Sequence, residues 1–239
     1  MGKEMRLDKY LADMGKGTRS QIKEAARKGR IQINGMITKK ADTKVNVETD
    51  TIVYDGSVVS YVTMEYYMLN KPQGVVSATE DNRYQTVVDL IDEKNRRDLF
   101  PVGRLDIDTE GLLIITNDGP LAHRMLAPKK HVDKVYFARL DGEVPGDAAE
   151  RFAEGIQVGQ DYKALPAKLE VLSVKDGVSE VHITLREGKF HQVKRMCHEI
   201  GCEVTYLKRV SMGKLVLDET LQPGACRKLT AEEIALIKQ

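Results

Sequence analysis

The chain has 239 residues, 41% hydrophobic and 31% charged, an ordinary balance for a soluble globular protein with room for a small domain and a larger one. No apolar run approaches the roughly 18 to 20 residues of a membrane span, and Met1-Gly-Lys-Glu-Met-Arg lacks a signal-peptide core; Cys197, Cys202 and Cys226, without zinc-type pairing, fit a reducing cytoplasm. The net charge is +1, but residues 1–60 carry 12 Lys/Arg against 8 Asp/Glu while the remainder carries 25 against 28, a basic head suited to a polyanion.

Leu7, Tyr10, Leu11 and Met14 recur at helical spacing, which predicts a short amphipathic helix stopping near Gly15 and Gly17. Thr18 with Gln21 three residues on is a capping-box pattern opening a second helix, and Gly29 closes it. Its apolar stripe is Ile22, Ala25 and Ala26. Arg19, Lys23 and Arg27 repeat every four residues on another face, with Lys28 and Arg30 following. Ile31 and Ile33 alternate with polar residues, and Asn34-Gly35 predicts a hairpin turn before Met36-Ile37-Thr38. Val45, Val47 and Thr51 to Tyr54 read as further short strands. Residues 57–65 read as a semi-ordered linker, so domains are expected over 1–60 and 61–239.

Beyond the linker, Tyr66 to Asn70, Leu112 to Thr116, Lys134 to Leu140, Lys168 to Val174 and Glu180 to Leu185 read as strands. Asp147 to Glu154, His191 to Ile200 and Ala231 to Ile237 read as helices, with another opening at Pro120. Strands succeed one another without regularly alternating helices, so the expected class is α+β around a mixed, mostly antiparallel sheet.

The segments Met5-Arg-Leu-Asp-Lys-Tyr-Leu, Thr18-Arg-Ser-Gln-Ile and Gly29-Arg-Ile-Gln-Ile-Asn-Gly together resemble the alpha-L RNA-binding domain. The resemblance implies that Arg19, Lys23, Arg27, Lys28 and Arg30 contact RNA, where phosphate contacts would position the strand without reading its sequence. The plainer alternative is a solvated helix face.

Val102-Gly-Arg-Leu-Asp-Ile-Asp-Thr-Glu-Gly-Leu-Leu-Ile-Ile-Thr-Asn-Asp-Gly119 sets carboxylates at the mouth of an apolar strand. Asp106-x-Asp108-x-Glu110-Gly111 imitates the opening of a calcium loop, but Asn117 stands where the bidentate Glu belongs and a strand replaces the later ligands. Asp106 and Asp108 as plain turn caps is a second reading. The third is a catalytic carboxylate: Gly103-Arg-Leu-Asp-x-Asp-Thr-x-Gly-Leu resembles the signature of pseudouridine synthases of the RsuA-like group, which act on ribosomal RNA. Leu69-Asn-Lys-Pro-x-Gly74, Asp133-Lys-Val-Tyr-Phe137, Arg186-Glu-Gly-Lys-Phe-His-Gln-Val-Lys-Arg-Met196, Leu221-Gln-Pro-Gly224 and Arg227-Lys-Leu-Thr230 resemble further motifs of that family, in order.

That family breaks the N1–C1′ bond of a uridine, turns the uracil and joins its C5 to C1′. Nothing is oxidised or imported, so no cofactor or metal is expected. The resemblance implies that Asp106 acts at C1′, either as a nucleophile or by stabilising an oxocarbenium-like state. It implies a salt bridge from Lys194 to Asp106, and Tyr136 stacked on the uracil as a candidate proton acceptor. Arg104 is expected to contact phosphate or fill the gap left by an extruded base, the alternative being a structural ion pair. His191 and Gln192 open the helix bearing Lys194 and are expected to scaffold it and contact RNA.

The implied substrate is a uridine of small-subunit (16S) ribosomal RNA, free or in a ribosomal-subunit assembly intermediate. Large-subunit RNA is the alternative; the stop soon after Leu229 without a basic tail favours the small-subunit type. A non-catalytic assembly factor would not need Asp106, Tyr136 and Lys194, and a metal-dependent nuclease would need more acidic ligands than are recognisable. A monomer without membrane attachment is expected.

Overall fold

The computed structural model describes residues 4–92, 94–127 and 130–239. The chain divides into two compact units, one formed by Met1–Glu65 with Asp92–Leu99 and the other by Tyr66–Ile91 with Phe100–Gln239. No helix among the described residues is long and apolar enough to cross a membrane.

The first unit runs β1 (Glu4–Arg6), α1 (Leu7–Asp13), α2 (Arg19–Arg27), β2 (Ile31–Ile33), β3 (Met36–Ile37), β4 (Lys44–Asn46), β5 (Ile52–Tyr54) and β6 (Ser57–Val59). Antiparallel strands lie in the order β3-β2-β5-β6, and β1 pairs with β4. Thr18 caps α2 through Gln21 as the capping-box pattern predicts, with both reciprocal bonds formed. Asn34 and Gly35 both take positive φ, 51° and 80°, the combination a two-residue hairpin of the primed type requires. Leu7, Leu11, Ile22, Ala26, Ile31 and Ile52 fill the core, and the buried Tyr10 hydroxyl donates to Val59 O at 2.7 Å.

Residues 57–59 correct the linker reading. They pair with β5, because Val59 has an apolar core to enter. The segment 92–99 also joins this unit. Arg96 is buried there, donating to Asp98 at 2.8 Å through Nε and to the Tyr61 hydroxyl at 3.0 Å, while Glu65 accepts from the backbone of Asn95 and Arg96.

The second unit begins with β7 (Tyr66–Lys71), β8 (Phe100–Pro101), β9 (Glu110–Thr116), α3 (Gly119–Leu126), β10 (Lys134–Asp141) and α4 (Ala148–Glu154). It continues through β11 (Gln157–Val158), β12 (Tyr162–Lys163), β13 (Lys168–Lys175), β14 (Val178–Leu185) and α5 (Gln192–His198). The last elements are β15 (Glu203–Met212), β16 (Leu215–Val216), β17 (Cys226–Lys228) and α6 (Ala231–Lys238). One mixed sheet carries the order β13-β14-β10-β15-β9-β7-β17, with β16 added on β15 and β8 on β9. Among these pairings only β15 with β9 is parallel.

Strand β9 is buried on both faces from Gly111 to Thr116, which its unbroken apolar run allows. Gly111 has φ +104°, and a Cβ there would lie 2.3 Å from Arg209 O and 2.7 Å from Arg209 N. Only glycine lets β9 and β15 approach at that point. Strand β15 is not legible in the sequence, since Lys208 and Arg209 interrupt the apolar alternation that marks a strand. Arg209 is nonetheless buried, its Nε donating to Leu112 O at 2.8 Å and tying β15 to β9.

Candidate active site

The loop between β8 and β9 carries Arg104, Asp106 and Asp108, and the segment following β7 fastens it. Lys71 is fully buried, and its ammonium donates to the carbonyls of Pro72 at 3.0 Å, Asp106 at 3.0 Å, Ile107 at 3.4 Å and Thr109 at 2.9 Å. Gly74 N donates to Ile107 O at 2.8 Å, and the Ser77 hydroxyl brackets Leu105 by bonding both its N–H and its carbonyl. A cation thus replaces the ladder bonds that a loop of this shape cannot make. Burial pushes the Lys71 ammonium down to about 8, against the pull of Asp108, Asp106 and Glu110.

Across the sheet, Tyr136 is almost fully buried on β10. Its register with β15 shifts there: Ser211 faces Val135 while Arg209 faces Tyr136, leaving Val210 as the extra residue of a bulge. A bulge beside a site re-aims a side chain. Helix α5 brings Lys194, and His191 at its N-cap takes a left-handed conformation with φ 49°.

These segments close around one slot of about 60 Å³ lined by Arg104, Asp106, Thr109, Tyr136, His191 and Lys194. A wider cleft of about 560 Å³ adjoins it, sharing Arg104, Asp106 and His191 and adding Asp108, Ile107 and Phe190. The Asp106 carboxylate is about a third exposed, with Lys194 Nζ 3.8 Å from Oδ2 and His191 Nε2 3.8 Å from Oδ1. The closer partner of Lys194 is Asp108, whose Oδ1 accepts its hydrogen bond at 2.6 Å. The implied Lys194–Asp106 bridge is therefore shared, and the tight half of it belongs to Asp108. Burial raises the Asp108 pKa, but the hydrogen bond and charge of Lys194 outweigh it and hold the carboxyl below its ordinary range.

The remaining implied residues divide. Arg104 is exposed at the slot's mouth, and no carboxylate among the described residues pairs with it, so the structural ion-pair alternative is not what the fold builds. Gln192 is placed as a scaffolding residue in the fold. It is buried, donating to Glu187 at 2.6 Å and accepting from Lys189 N at 2.9 Å, so it braces the loop that leads into α5. On α2, Arg19, Lys23 and Arg27 are exposed. Lys28 pairs with Glu24 at 2.7 Å and Arg30 pairs with Asp55, both on the exposed surface.

The roles of Lys71 and Ser77, and the pairing of Asp108 with Lys194, are not legible in the sequence motifs. Lys71 left a signal, a lone cation ending an apolar strand just before Pro72. Ser77 left none, because its partner Leu105 is 28 positions away.

A sheet that sets an aspartate loop, a strand tyrosine and a helix lysine around one slot matches the family reading of the sequence. The RNA pseudouridylate synthase family model matches residues 65–199 and the S4 domain model matches residues 5–52. The chain belongs to the RNA pseudouridylate synthase family. It is 46% identical to "Uncharacterized RNA pseudouridine synthase YtzG" of Bacillus subtilis (strain 168), over 98% of this chain and 99% of the relative. It is 42% identical to "Ribosomal small subunit pseudouridine synthase A" of Vibrio cholerae serotype O1, again over 98% and 99%. A solved structure described as "Crystal structure of pseudouridylate synthase" superposes with a TM-score of 0.68 at 38% identity, covering 98% of this chain and 99% of that one.

Proposed function

We propose that the chain isomerises a uridine of small-subunit (16S) ribosomal RNA to pseudouridine, with Asp106 as the carboxylate acting at C1′. The observation that carries this reading is the convergence of Asp106, Tyr136 and Lys194, from three separate segments, on one slot. Lys194 sets an ammonium 3.8 Å from the Asp106 carboxylate, and the His191 imidazole lies at the same distance on its other oxygen. Tyr136 supplies a ring to stack on the uracil and a hydroxyl to take a proton. The wider cleft adjoining the slot shares Arg104, Asp106 and His191 with it and gives an extruded base its way in. Arg104 at the mouth meets phosphate or occupies the space the base vacates.

Small-subunit RNA is favoured by the names of relatives that align over nearly their full length. The exposed cations Arg19, Lys23 and Arg27 supply phosphate contacts in the first unit. The protein works in the cytoplasm as a monomer on ribosomal RNA or an assembling subunit.

Carbodiimide mapping of ribosomal RNA from cells with and without the gene tests the substrate. Loss of one pseudouridine in the small-subunit RNA is expected. A loss confined to large-subunit RNA overturns the substrate, and no loss overturns the activity. For the carboxylate, Asp106→Asn should lower turnover by on the order of 10⁴-fold or more, with RNA affinity within a few-fold of wild type. Substantial turnover by that variant would assign the chemistry elsewhere.

A further inference from the structure

Phe190 is the most exposed large apolar side chain among the described residues, at 74%. Exposed apolar residues scattered singly need no explanation. This one is neither loose nor isolated. One face of its ring is stacked on the His191 imidazole, with centroids 3.8 Å apart and planes 17° from parallel, and its other face is left to solvent. His191 is held in a left-handed conformation at the head of α5, and its Nε2 lies 3.8 Å from the Asp106 carboxylate. The stack therefore starts at the reacting carboxylate and leads outward along the wide cleft. Ile107, 38% exposed, lines that cleft with Phe190, and Arg104 and Lys189 supply positive charge to it.

We propose that Phe190, backed by His191, is a stacking platform for the nucleobase next to the target uridine. The occupant follows from the chemistry of the cleft: a flat apolar ring beside exposed cations suits a base with its phosphates. The mechanism assigned above uses His191 but not Phe190. Extruding a uridine removes its neighbour's stacking partner, and Phe190 would replace that partner at the moment it is lost. Phe190 is thus a positioning residue, acting on where the strand lies. The proposal rests on the reading that the Asp106 slot receives a uridine.

The test uses the full chain and a synthetic fragment of small-subunit ribosomal RNA centred on the uridine found by mapping. Equilibrium binding and single-turnover conversion are measured for wild type, Phe190→Ala and Phe190→Tyr, each with the intact fragment and with fragments made abasic at either neighbour. Base–aromatic stacking sets the expected scale: Phe190→Ala should weaken half-saturation by roughly 5- to 150-fold, while Phe190→Tyr retains wild-type affinity. The loss should fall on half-saturation more than on the saturated rate, which a damaged fold would not produce. One abasic position should cost wild type the same factor and cost Phe190→Ala nothing further. Equal affinity of wild type and Phe190→Ala, or abasic losses that simply add to the Phe190→Ala loss at both positions, overturns the platform. Failure of wild type to form pseudouridine strikes the function reading instead, and the binding cycle reports on stacking separately.

Discussion

Lys71 shows how one residue sets the geometry of a site it does not enter. Its ammonium satisfies carbonyls of Pro72, Asp106 and Thr109 that the loop's shape leaves without ladder partners. Lys71→Met keeps the length and removes the donor, so buried acceptors go unpaired at roughly 1–3 kcal/mol each. A destabilisation of about 2–4 kcal/mol and a fall in turnover are expected, measured by urea unfolding and single-turnover assay. The pH dependence has a definite sign. Folded Lys71 titrates at about 8 and the unfolded chain near the ordinary 10.5, so the unfolded state binds more protons between those values. Wild-type stability gains from this group as pH rises through that window, and the gap between wild type and Lys71→Met should widen from pH 8 to pH 10. Tyr136 gives a cleaner separation of roles. Tyr136→Phe keeps the ring and loses the phenol, so the single-turnover rate should fall on the order of 10²-fold or more with the unfolding midpoint little changed. An unchanged rate would confine Tyr136 to stacking.

Among the elements, α2 and β9 express their surroundings most directly. Helix α2 buries Ile22, Ala25 and Ala26 and leaves Arg19, Lys23 and Arg27 in solvent. Because those three cations hold up no core, replacing all three with Ala should leave the fold intact and weaken RNA binding. Each phosphate contact contributes about 0.7 to 0.9 to the slope of log affinity against log salt, so the slope should lose about 2 to 3 units. Titrations at several salt concentrations check this, and an unaltered slope would remove the helix from the RNA interface. Strand β9 pairs antiparallel with β7 and parallel with β15, and Gly111 permits its close approach to Arg209. That contact holds the aspartate loop at the strand's mouth against the sheet that carries Tyr136.

At the scale of the whole molecule, the chain leaves the first unit after Glu65 and returns to it at Asp92–Leu99. A fragment of residues 66–239 would retain the aspartate loop, Tyr136 and Lys194. It would also strip the 92–99 segment of Asp13, Tyr61 and Glu65, which contact or accept from Arg96 and its neighbours. The buried Arg96 guanidinium would then lie open, so trypsin should cut the fragment at Arg96 or Arg97 far faster than the full chain. Equal resistance of fragment and full chain would show that 92–99 stands without the first unit.

Much of this organisation is readable from local chemistry. The capping box at Thr18, the Asn34-Gly35 hairpin and the strand at 112–116 each depend on neighbours within a few positions, and the fold reproduces them. The aspartate, tyrosine and lysine motifs stand in the chain as residue types at fixed spacing. Other features come from contacts between distant positions, on which periodicity is silent. Lys194 meets Asp108 across 86 positions, and its preference for Asp108 over Asp106 is a matter of ångströms. The strand over 203–212 carries buried Arg209 because Leu112 O lies 97 positions away to receive it. Gln192 has a scaffolding partner only because the fold packs Glu187 against it. In each case the partner arrives only when the sheet closes, and burial then changes what the side chain does.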